Sequence, residues 1–367
     1  MRTVLLLYGG RSGEHEVSLL SAASVARNLG PDWSVILGGI DKDGRWYLQS
    51  DEELRRAKED PSLPLRVVTD PASVMSVIPG QGIAAAGKLL AIDVVFPVLH
   101  GSFGEDGLVQ GLLETAMLPY AGSGVLGSSL SMDKDTAKRV WKEAGLPLVS
   151  SVTLRKDVFE NAPDGCGAFI GAVETEFGYP LFIKPSAAGS SVGITMARSR
   201  EQILPALEKA FRIDTKVLIE KAIDAREIEC SVLGNSSPRA FTPGEIIPSH
   251  EFYDYDAKYL DPQGARLVIP AQLTEAELAQ IKRLAIAAYT AAEAEGFARV
   301  DFFVEKNSGR IFLNEINTIP GFTAISMFPR MCAAGGLPYA ELLDEILRLG
   351  IRRHSERSGL SYSYQCS

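Results

Sequence analysis

Three oxygen-bearing side chains and a guanidinium fall at regular spacing near residue 300. The stretch runs Arg299-Val300-Asp301-Phe302-Phe303-Val304-Glu305-Lys306-Asn307-Ser308-Gly309-Arg310-Ile311-Phe312-Leu313-Asn314-Glu315-Ile316-Asn317. It reads as two strands joined by a three-residue loop, Asn307-Ser308-Gly309, with Gly where such loops need a left-handed residue. Pairing Lys306 with Arg310 sets Asp301 opposite Glu315 and Arg299 opposite Asn317. Side chains alternate along a strand, so these four share one face. Val300, Phe302, Val304, Phe312 and Ile316 take the other face as core. Two carboxylates directly across a strand pair repel each other, and a cation between them removes the conflict. Asp, Glu and Asn oxygens are hard donors that suit Mg²⁺ bridging to a phosphate. Arg299 fits the phosphate better than the metal. The spacing suggests a Mg–nucleotide site on a sheet; a solvated hairpin face with a chance acid pair fits it too.

A phosphate needs donors as well. Lys184-Pro185 leads into residues 186–193, which are Ser, Ala or Gly except for Val192. Small residues let backbone N–H groups approach an anion closely. Lys184 follows Leu181, Phe182 and Ile183, so its ammonium ends an apolar strand. A surface turn with a snorkelling lysine is the competing reading. Ile219-Glu220-Lys221, with Glu227 beyond it, fits a nucleotide hinge or an exposed strand end. One motif is a decoy. Gly82 to Lys88 matches most of a P-loop, but Leu89 stands where Ser or Thr should bind Mg²⁺, and no helix is expected to follow. The first strand is not followed by a G-x-G-x-x-G dinucleotide fingerprint.

These loops need elements to hold them. Thr3–Tyr8, Trp33–Ile40 and Ala91–Leu99 read as strands, with a helix over 16–29 and another ending near Met117. Alternation of strand, loop and helix predicts an α/β domain with a parallel sheet over about the first 125 residues. Ligand chemistry in such sheets sits beyond the strands' carboxyl ends, where the glycine loops 9–13 and 101–107 fall. Residues 60–88 lack periodicity. Further on, helices are expected over 131–144, 200–211, 274–295 and from 339 to 349, with strands at 148–154, 179–184, 216–220, 227–233 and 241–247. Thr274 and Glu277 form a capping-box pattern. Residues 248–266 read as a long aromatic and charged loop, residues 318–330 as a Pro/Gly segment, and the tail beyond Gly350 as a frayed terminus.

Bulk properties set limits. The chain has 367 residues, enough for two or three domains, with 46% hydrophobic and 23% charged residues. A formal net charge of -9 argues against a nucleic-acid backbone as partner. Cys166, Cys230, Cys332 and Cys366 form no C-x-x-C pair, which suits a reducing cytosol and offers no zinc site. No secretory signal and no membrane-spanning stretch is visible, so a cytoplasmic protein without a membrane partner is expected.

Taken together, the pieces resemble the ATP-grasp ligases, and within them the D-alanine–D-alanine ligases. The resemblance covers nearly the whole chain. It rests on Gly9-Gly10-Arg11-Ser12-Gly13-Glu14-His15-Glu16-Val17-Ser18, on His100 to Gly107, on Met132-Asp133-Lys134 and on Lys184 to Gly193. It continues through Glu220-Lys221, Phe252 to Tyr259, Arg299-Val300-Asp301 and Glu315 to Gly321. Each motif is weak alone; their joint order and spacing are specific. Ala187 and Ala188 depart from the pattern, which often has charge there.

The resemblance implies a three-domain ATP-grasp architecture, α/β with α+β character in the C-terminal part: residues 1–125 with the first substrate site, 126–222, and 223–367 with lid and metal site. It implies ligation of two D-alanines with ATP, for peptidoglycan precursors, in a homodimer. It assigns the first substrate's ammonium to Glu14 and His100, and phosphates to Lys134, Lys184, Ser190 and Lys258. Adenine goes to Glu220, Lys221 and Ile223, and ribose to Glu227. Two Mg²⁺ (or Mn²⁺) ions go to Asp301, Glu315 and Asn317. Arg299 and the Gly321 N–H face the developing oxyanion, and Ser326 takes the second substrate's carboxylate. The 248–266 loop is the implied lid, with Tyr259 favouring an amine over the hydroxyl used by D-alanine–D-lactate ligases. Alternatives are a D-alanine–D-lactate or other carboxylate–amine ligase on the same ATP site, a non-catalytic nucleotide-binding regulator, and an oxidoreductase, which lacks its glycine fingerprint.

Overall fold

The computed structural model describes residues 1–162, 166–190, 192–248, 265–323 and 325–361. The implied lid, with Lys258 and Tyr259, therefore lies outside the described residues apart from its ends.

Val4 to Tyr8 are apolar without alternation, the pattern of a strand covered on both faces. All five are fully buried in β1 (Arg2–Gly9). α1 (His15–Asn28) leads to β2 (Trp33–Ile40), parallel to β1, and β3 (Trp46–Leu48) adds an antiparallel edge before α2 (Asp51–Glu59). The stretch that lacks periodicity does form structure: β4 (Met75–Ile78), β5 (Gly82–Ala85) and β6 (Lys88–Leu89) make a small antiparallel sheet. The P-loop decoy is thus strand, turn and strand, with Gly87 at φ +74 in the turn. β7 (Val94–Val98) returns to pair in parallel with β1, and α3 (Leu108–Thr115) follows.

The helix expected over 131–144 forms over 134–143, with a separate helix before it. α4 (Val125–Met132) ends at Asp133, whose carboxylate accepts from the Thr136 N–H at 2.9 Å and caps α5 (Lys134–Glu143). Aspartate satisfies a free helix-start N–H better than it continues a helix. An antiparallel sheet in the order β10-β9-β11-β8 comes next. It contains β8 (Ser151–Arg155), α6 (Lys156–Glu160), α7 (Gly167–Phe177), β9 (Leu181–Pro185), β10 (Thr195–Ala197), α8 (Arg200–Ala210) and β11 (Lys216–Lys221). Ile170 and Val173 of α7 and Leu207 of α8 pack on Ile183, Val217 and Ile219. Strand alternation leaves Lys184 and Glu220 on the uncovered face.

The last sheet holds β12 (Ala225–Leu233), β13 (Arg239–Ala240), β14 (Gly244–Pro248) and β15 (Ala265–Val268). α9 (Glu275–Ala291), with its capping box intact, covers one face before β16 (Phe297–Glu305) and β17 (Ile311–Asn317). The segment 318–330 is not only Pro/Gly loop, because α10 (Met327–Ala334) begins in it. α11 (Tyr339–Ser358) continues past Gly350, so the tail to Ser358 is not frayed. Arg353 is buried and donates to the backbone oxygens of Tyr120 (3.0 Å) and Gly122. Leu342, Leu343 and Ile346 of α11 join one core with Val4, Leu6 and Ala22. Phe96, Phe297, Phe322 and Phe328 complete it, with Phe96 edge-on to Phe322 at 5.4 Å.

The β16–β17 register holds one surprise. Arg299 pairs with Asn317 and Asp301 with Glu315, as the spacing predicts, but beyond a bulge Phe302 pairs with Leu313 and Val304 with Ile311. The turn closes at Glu305 and Arg310, not at Lys306 and Arg310. The loop is thus one residue longer than expected, and the bulge restores phase at the acids. Phe312 consequently leaves the core face, where Ile311 and Leu313 are buried instead.

Candidate active site

The polar faces of the last two sheets and the N-terminal glycine loops enclose a cavity of about 1390 Å³. Every expected site residue within the described part of the chain lines it: Glu14, His100, Lys134, Lys184, Ser190, Glu220, Lys221, Ile223, Glu227, Arg299, Asp301, Glu315, Asn317, Gly321 and Ser326.

One wall is cationic. Lys184 Nζ lies 2.6 Å from Glu220 Oε1, and Lys138 Nζ lies 2.5 Å from Glu220 Oε2, all three residues being buried. Burial alone would push the Glu220 carboxyl up; the ammonium groups, Lys184 first, overcome it and bring it down to about 2. Its side chain therefore faces lysines, not open cavity. Lys134, the first residue of α5, donates to the Ala188 oxygen at 2.8 Å and lies 3.3 Å from Glu315 Oε2. The small-residue loop is anchored from below. Ser186 donates to Asp133 at 3.0 Å, and the Ala187 N–H donates to Asp214 at 2.7 Å.

The facing wall is acidic. Glu229 on β12 pairs with Asp301 on β16, which pairs with Glu315 on β17. Arg299 grips Asp301 through both ends of its fork, at 2.8 and 2.7 Å, and reaches Glu229 at 3.1 Å. Burial would lower the Arg299 pKa, but Asp301 and Glu229 hold it well above its ordinary value. Asn317 Nδ2 donates to Asp301 at 2.9 Å. The protein's own cations thus offset the carboxylate repulsion. Two carboxylates and an amide converging at the cavity are a hard-oxygen donor set that fits Mg²⁺. Among the described residues no group of three or more His, Cys, Asp or Glu side chains is placed to hold a metal.

The third side carries Glu14, just before α1. A Cβ on Gly101 would lie 2.6 Å from its Oε2, and one on Gly189 2.9 Å, so both glycines make room for this carboxylate. Ser190, at φ +49, donates its hydroxyl to Glu14. His100 lines the cavity, but both ring nitrogens have protein partners: Nδ1 at 2.8 Å from the Ile319 oxygen and Nε2 at 3.0 Å from Ser21 Oγ. Nδ1 donates to that carbonyl, and Nε2 shares a hydrogen bond with the Ser21 hydroxyl, accepting from it when the ring is neutral. Desolvation accordingly holds the His100 pKa below its ordinary value, against the pull of Glu14. Its ring ties α1 to the segment after β17 instead of offering a donor to a ligand. In that segment, Ser326 Oγ accepts from the Thr323 N–H at 3.0 Å and would lie 2.8 Å from a Cβ on Gly321.

Sequence reading passed over three residues. Glu229 stands two residues after Glu227, and strand alternation puts both on one face. Lys138 follows Lys134 by one helical turn. Glu105 sits within the His100–Gly107 motif; it accepts from the Gly101 N–H at 2.7 Å, and burial followed by the nearby Glu14 charge raises its pKa to about 8.

A nucleotide-sized cavity clamped between a lysine-bearing antiparallel sheet and an acid-bearing second sheet defines an ATP-grasp ligase. Residues 3–123 match the family described as D-ala D-ala ligase N-terminus, and residues 140–348 the one described as D-ala D-ala ligase C-terminus. A Treponema denticola protein named D-alanine–D-alanine ligase is 49% identical over 354 residues, covering 95% of this chain and 96% of that one. The solved D-alanine–D-alanine ligase of Coxiella burnetii superposes with a TM-score of 0.82 at 34% identity, over 97% of this chain and 96% of that one. The VanG D-Ala:D-Ser ligase of Enterococcus faecalis gives the same TM-score, 0.82, and 34% identity, over 95% and 99%. The chain belongs to the D-alanine–D-alanine ligase family, a family of ADP-forming, ATP-dependent ligases. Among the described residues no helix is long and apolar enough to cross a membrane.

Proposed function

We propose that this protein joins two D-alanine molecules, ATP + 2 D-alanine giving D-alanyl-D-alanine, ADP and phosphate, through a D-alanyl phosphate. The dipeptide serves peptidoglycan precursor synthesis in the cytoplasm. The observation that carries the reading is the meeting of Glu14 with Ser190, which sets an ammonium-binding carboxylate against the phosphate loop inside one cavity.

Glu14 would hold the ammonium of the first D-alanine and aim its carboxylate at the γ-phosphate. Lys134, Lys184 and the backbone of the 186–190 loop would hold the phosphates. Lys221, Ile223 and the backbone at Glu220 would border adenine, and Glu227 the ribose. Arg299 and the Gly321 N–H would stabilise charge on the acyl oxygen as the second amine attacks, and Ser326 would place that substrate's carboxylate. Catalysis of this kind is positioning and electrostatic stabilisation. Asp301, Glu315 and Asn317 would hold two Mg²⁺ or Mn²⁺ ions, which would supply charge neutralisation on the phosphates. Lys258 and Tyr259 would complete the site from the lid.

The chain would divide into units at 1–125, 126–222 and 223–367. A homodimer is the expected assembly; the exposed apolar side chains of Leu108 and Leu112 on α3, Met117 beyond it and Leu126 on α4 support self-association there.

A second acceptor is tested alongside the first, because the D-Ala:D-Ser ligase superposes as well as the D-alanine ligase does. ADP release is measured with ATP, Mg²⁺ and D-alanine alone, then with L-alanine, D-lactate or D-serine added to or replacing it. The product is identified by mass. D-alanyl-D-alanine from D-alanine alone is the expected result. Turnover only with D-serine or D-lactate present would overturn the acceptor assignment, and no turnover with any of them would overturn the ligase reading.

A further inference from the structure

The Lys184–Glu220–Lys138 triad contains one lysine more than the reaction requires at the cavity surface. Lys184 lines the cavity, whereas Lys138 sits behind its wall on α5, 7% exposed. Each oxygen of the Glu220 carboxylate is held by a different ammonium, Lys184 at 2.6 Å and Lys138 at 2.5 Å. Lys138 is itself steered by the Val149 oxygen at 3.3 Å. Two buried ammonium groups on one carboxylate leave one net positive charge in a low-dielectric wall. That arrangement is costly until an anion arrives. A simple Lys184–Glu220 pair would be neutral, and Glu220 would then compete with a phosphate for Lys184.

We propose that Lys138 is a positioning residue for the nucleotide phosphates. By occupying one oxygen of Glu220 it fixes the direction of the Lys184 ammonium. It also leaves the triad with one positive charge in excess, to be met by phosphate. Lys138 touches no substrate; it acts through Glu220. The inference rests on the reading of this cavity as a nucleotide site.

The test is calorimetric titration of the full-length protein with Mg–ADP and, separately, with adenosine, both without D-alanine. In Lys138→Met, ADP binding weakens roughly tenfold, about the loss of one charge-assisted hydrogen bond, while adenosine binding is unchanged. In the Glu220→Gln background, Lys138 has no carboxylate to hold. There, adding Lys138→Met changes ADP affinity by less than about threefold, and the pair of cycles gives the coupling directly. Equal weakening of ADP and adenosine would show a merely structural role and overturn the proposal. So would an unchanged ADP affinity, or a full tenfold loss persisting with Glu220→Gln. If Lys138→Met does not fold, Lys138→Gln, which keeps a polar donor near Glu220 but drops the charge, takes its place in both backgrounds with the same expected outcomes. Failure of the wild-type protein to bind ADP would sink the nucleotide reading and this inference together. ADP binding by the wild type with no selective effect in the variants would sink only the inference.

Discussion

Ser190 donates its hydroxyl to the carboxylate of Glu14, 176 positions earlier in the chain. The contact joins the turn before α1 to the loop after β9, and thereby the proposed ammonium anchor to the proposed phosphate loop. Hydrogen bonds to ionised acceptors are stronger than neutral ones. Ser190→Ala should lower kcat/KM for D-alanine about tenfold, the scale of one such bond. Steady-state kinetics with saturating ATP checks this, and an unchanged value would make the contact incidental.

The same carboxylate depends on a missing methyl group. An added Cβ at Gly189 would approach Glu14 Oε2 to 2.9 Å, closer than van der Waals contact allows. Gly189→Ala should displace the Glu14 side chain and raise KM for D-alanine, with thermal stability little changed. A D-alanine KM equal to wild type would show that Glu14 can shift without loss of substrate contact.

Glu105 should make stability depend on pH. Its carboxyl rises from an ordinary 4.5 to about 8, first by burial and next by the charge of Glu14. A raised carboxyl binds its proton more tightly in the folded state, so folding releases none below pH 4.5. Stability is fully present there and is lost as pH rises from 4.5 through about 8. Glu105→Gln stays neutral. It should match wild type near pH 4.5, gain on it progressively as pH rises to about 8, and keep that full advantage at higher pH, by denaturant midpoint. A constant difference across that range would place the perturbation elsewhere.

Arg299 neutralises Asp301 and Glu229 while offering its charge to the cavity. Arg299→Met leaves buried acids uncompensated, a loss of roughly 3 kcal/mol or more. Millimolar Mg²⁺ should restore part of that stability, because the ion binds the oxygens that the guanidinium leaves. Turnover should stay at least about 100-fold down even with Mg²⁺, the effect of losing a transition-state charge donor. Urea melts with and without Mg²⁺ decide the first point; no Mg²⁺ effect would count against the metal assignment of Asp301, Glu315 and Asn317.

Arg353 binds the backbone carbonyls of Tyr120 and Gly122, just before α4. Its removal orphans buried acceptors, so Arg353→Met should lose about 2–4 kcal/mol, read as a fall in the urea midpoint with kcat retained. A shift below about 0.5 kcal/mol would mean that α11 holds by its apolar face alone.

Much of the site was legible because it obeys short-range rules. Alternation along β16 and β17 suffices to place Arg299, Asp301, Glu315 and Asn317 on one face, and the small residues after Lys184 mark a loop that can approach an anion. The turn after Glu305 is one residue longer than the spacing predicts, and only the bulge opposite Phe302 restores the acid pairing. Neither feature leaves a pattern in the residues themselves. Residues 75–89 carry weak periodicity because their strands are short, and their strand state is set by what covers them.

What the sequence by itself determined was the inventory: which strands alternate, which loops can meet an anion, which charges stand at their ends, and the family that their order betrays. What only the tertiary structure decided was the partnership among those charges. Glu220 turns to two lysines, His100 to Ser21 and the Ile319 carbonyl, and Arg299 to Asp301 and Glu229. The reason is desolvation. A buried charge or ring nitrogen must find a partner within hydrogen-bond reach, and that partner comes from whichever distant strand or helix the core has brought alongside.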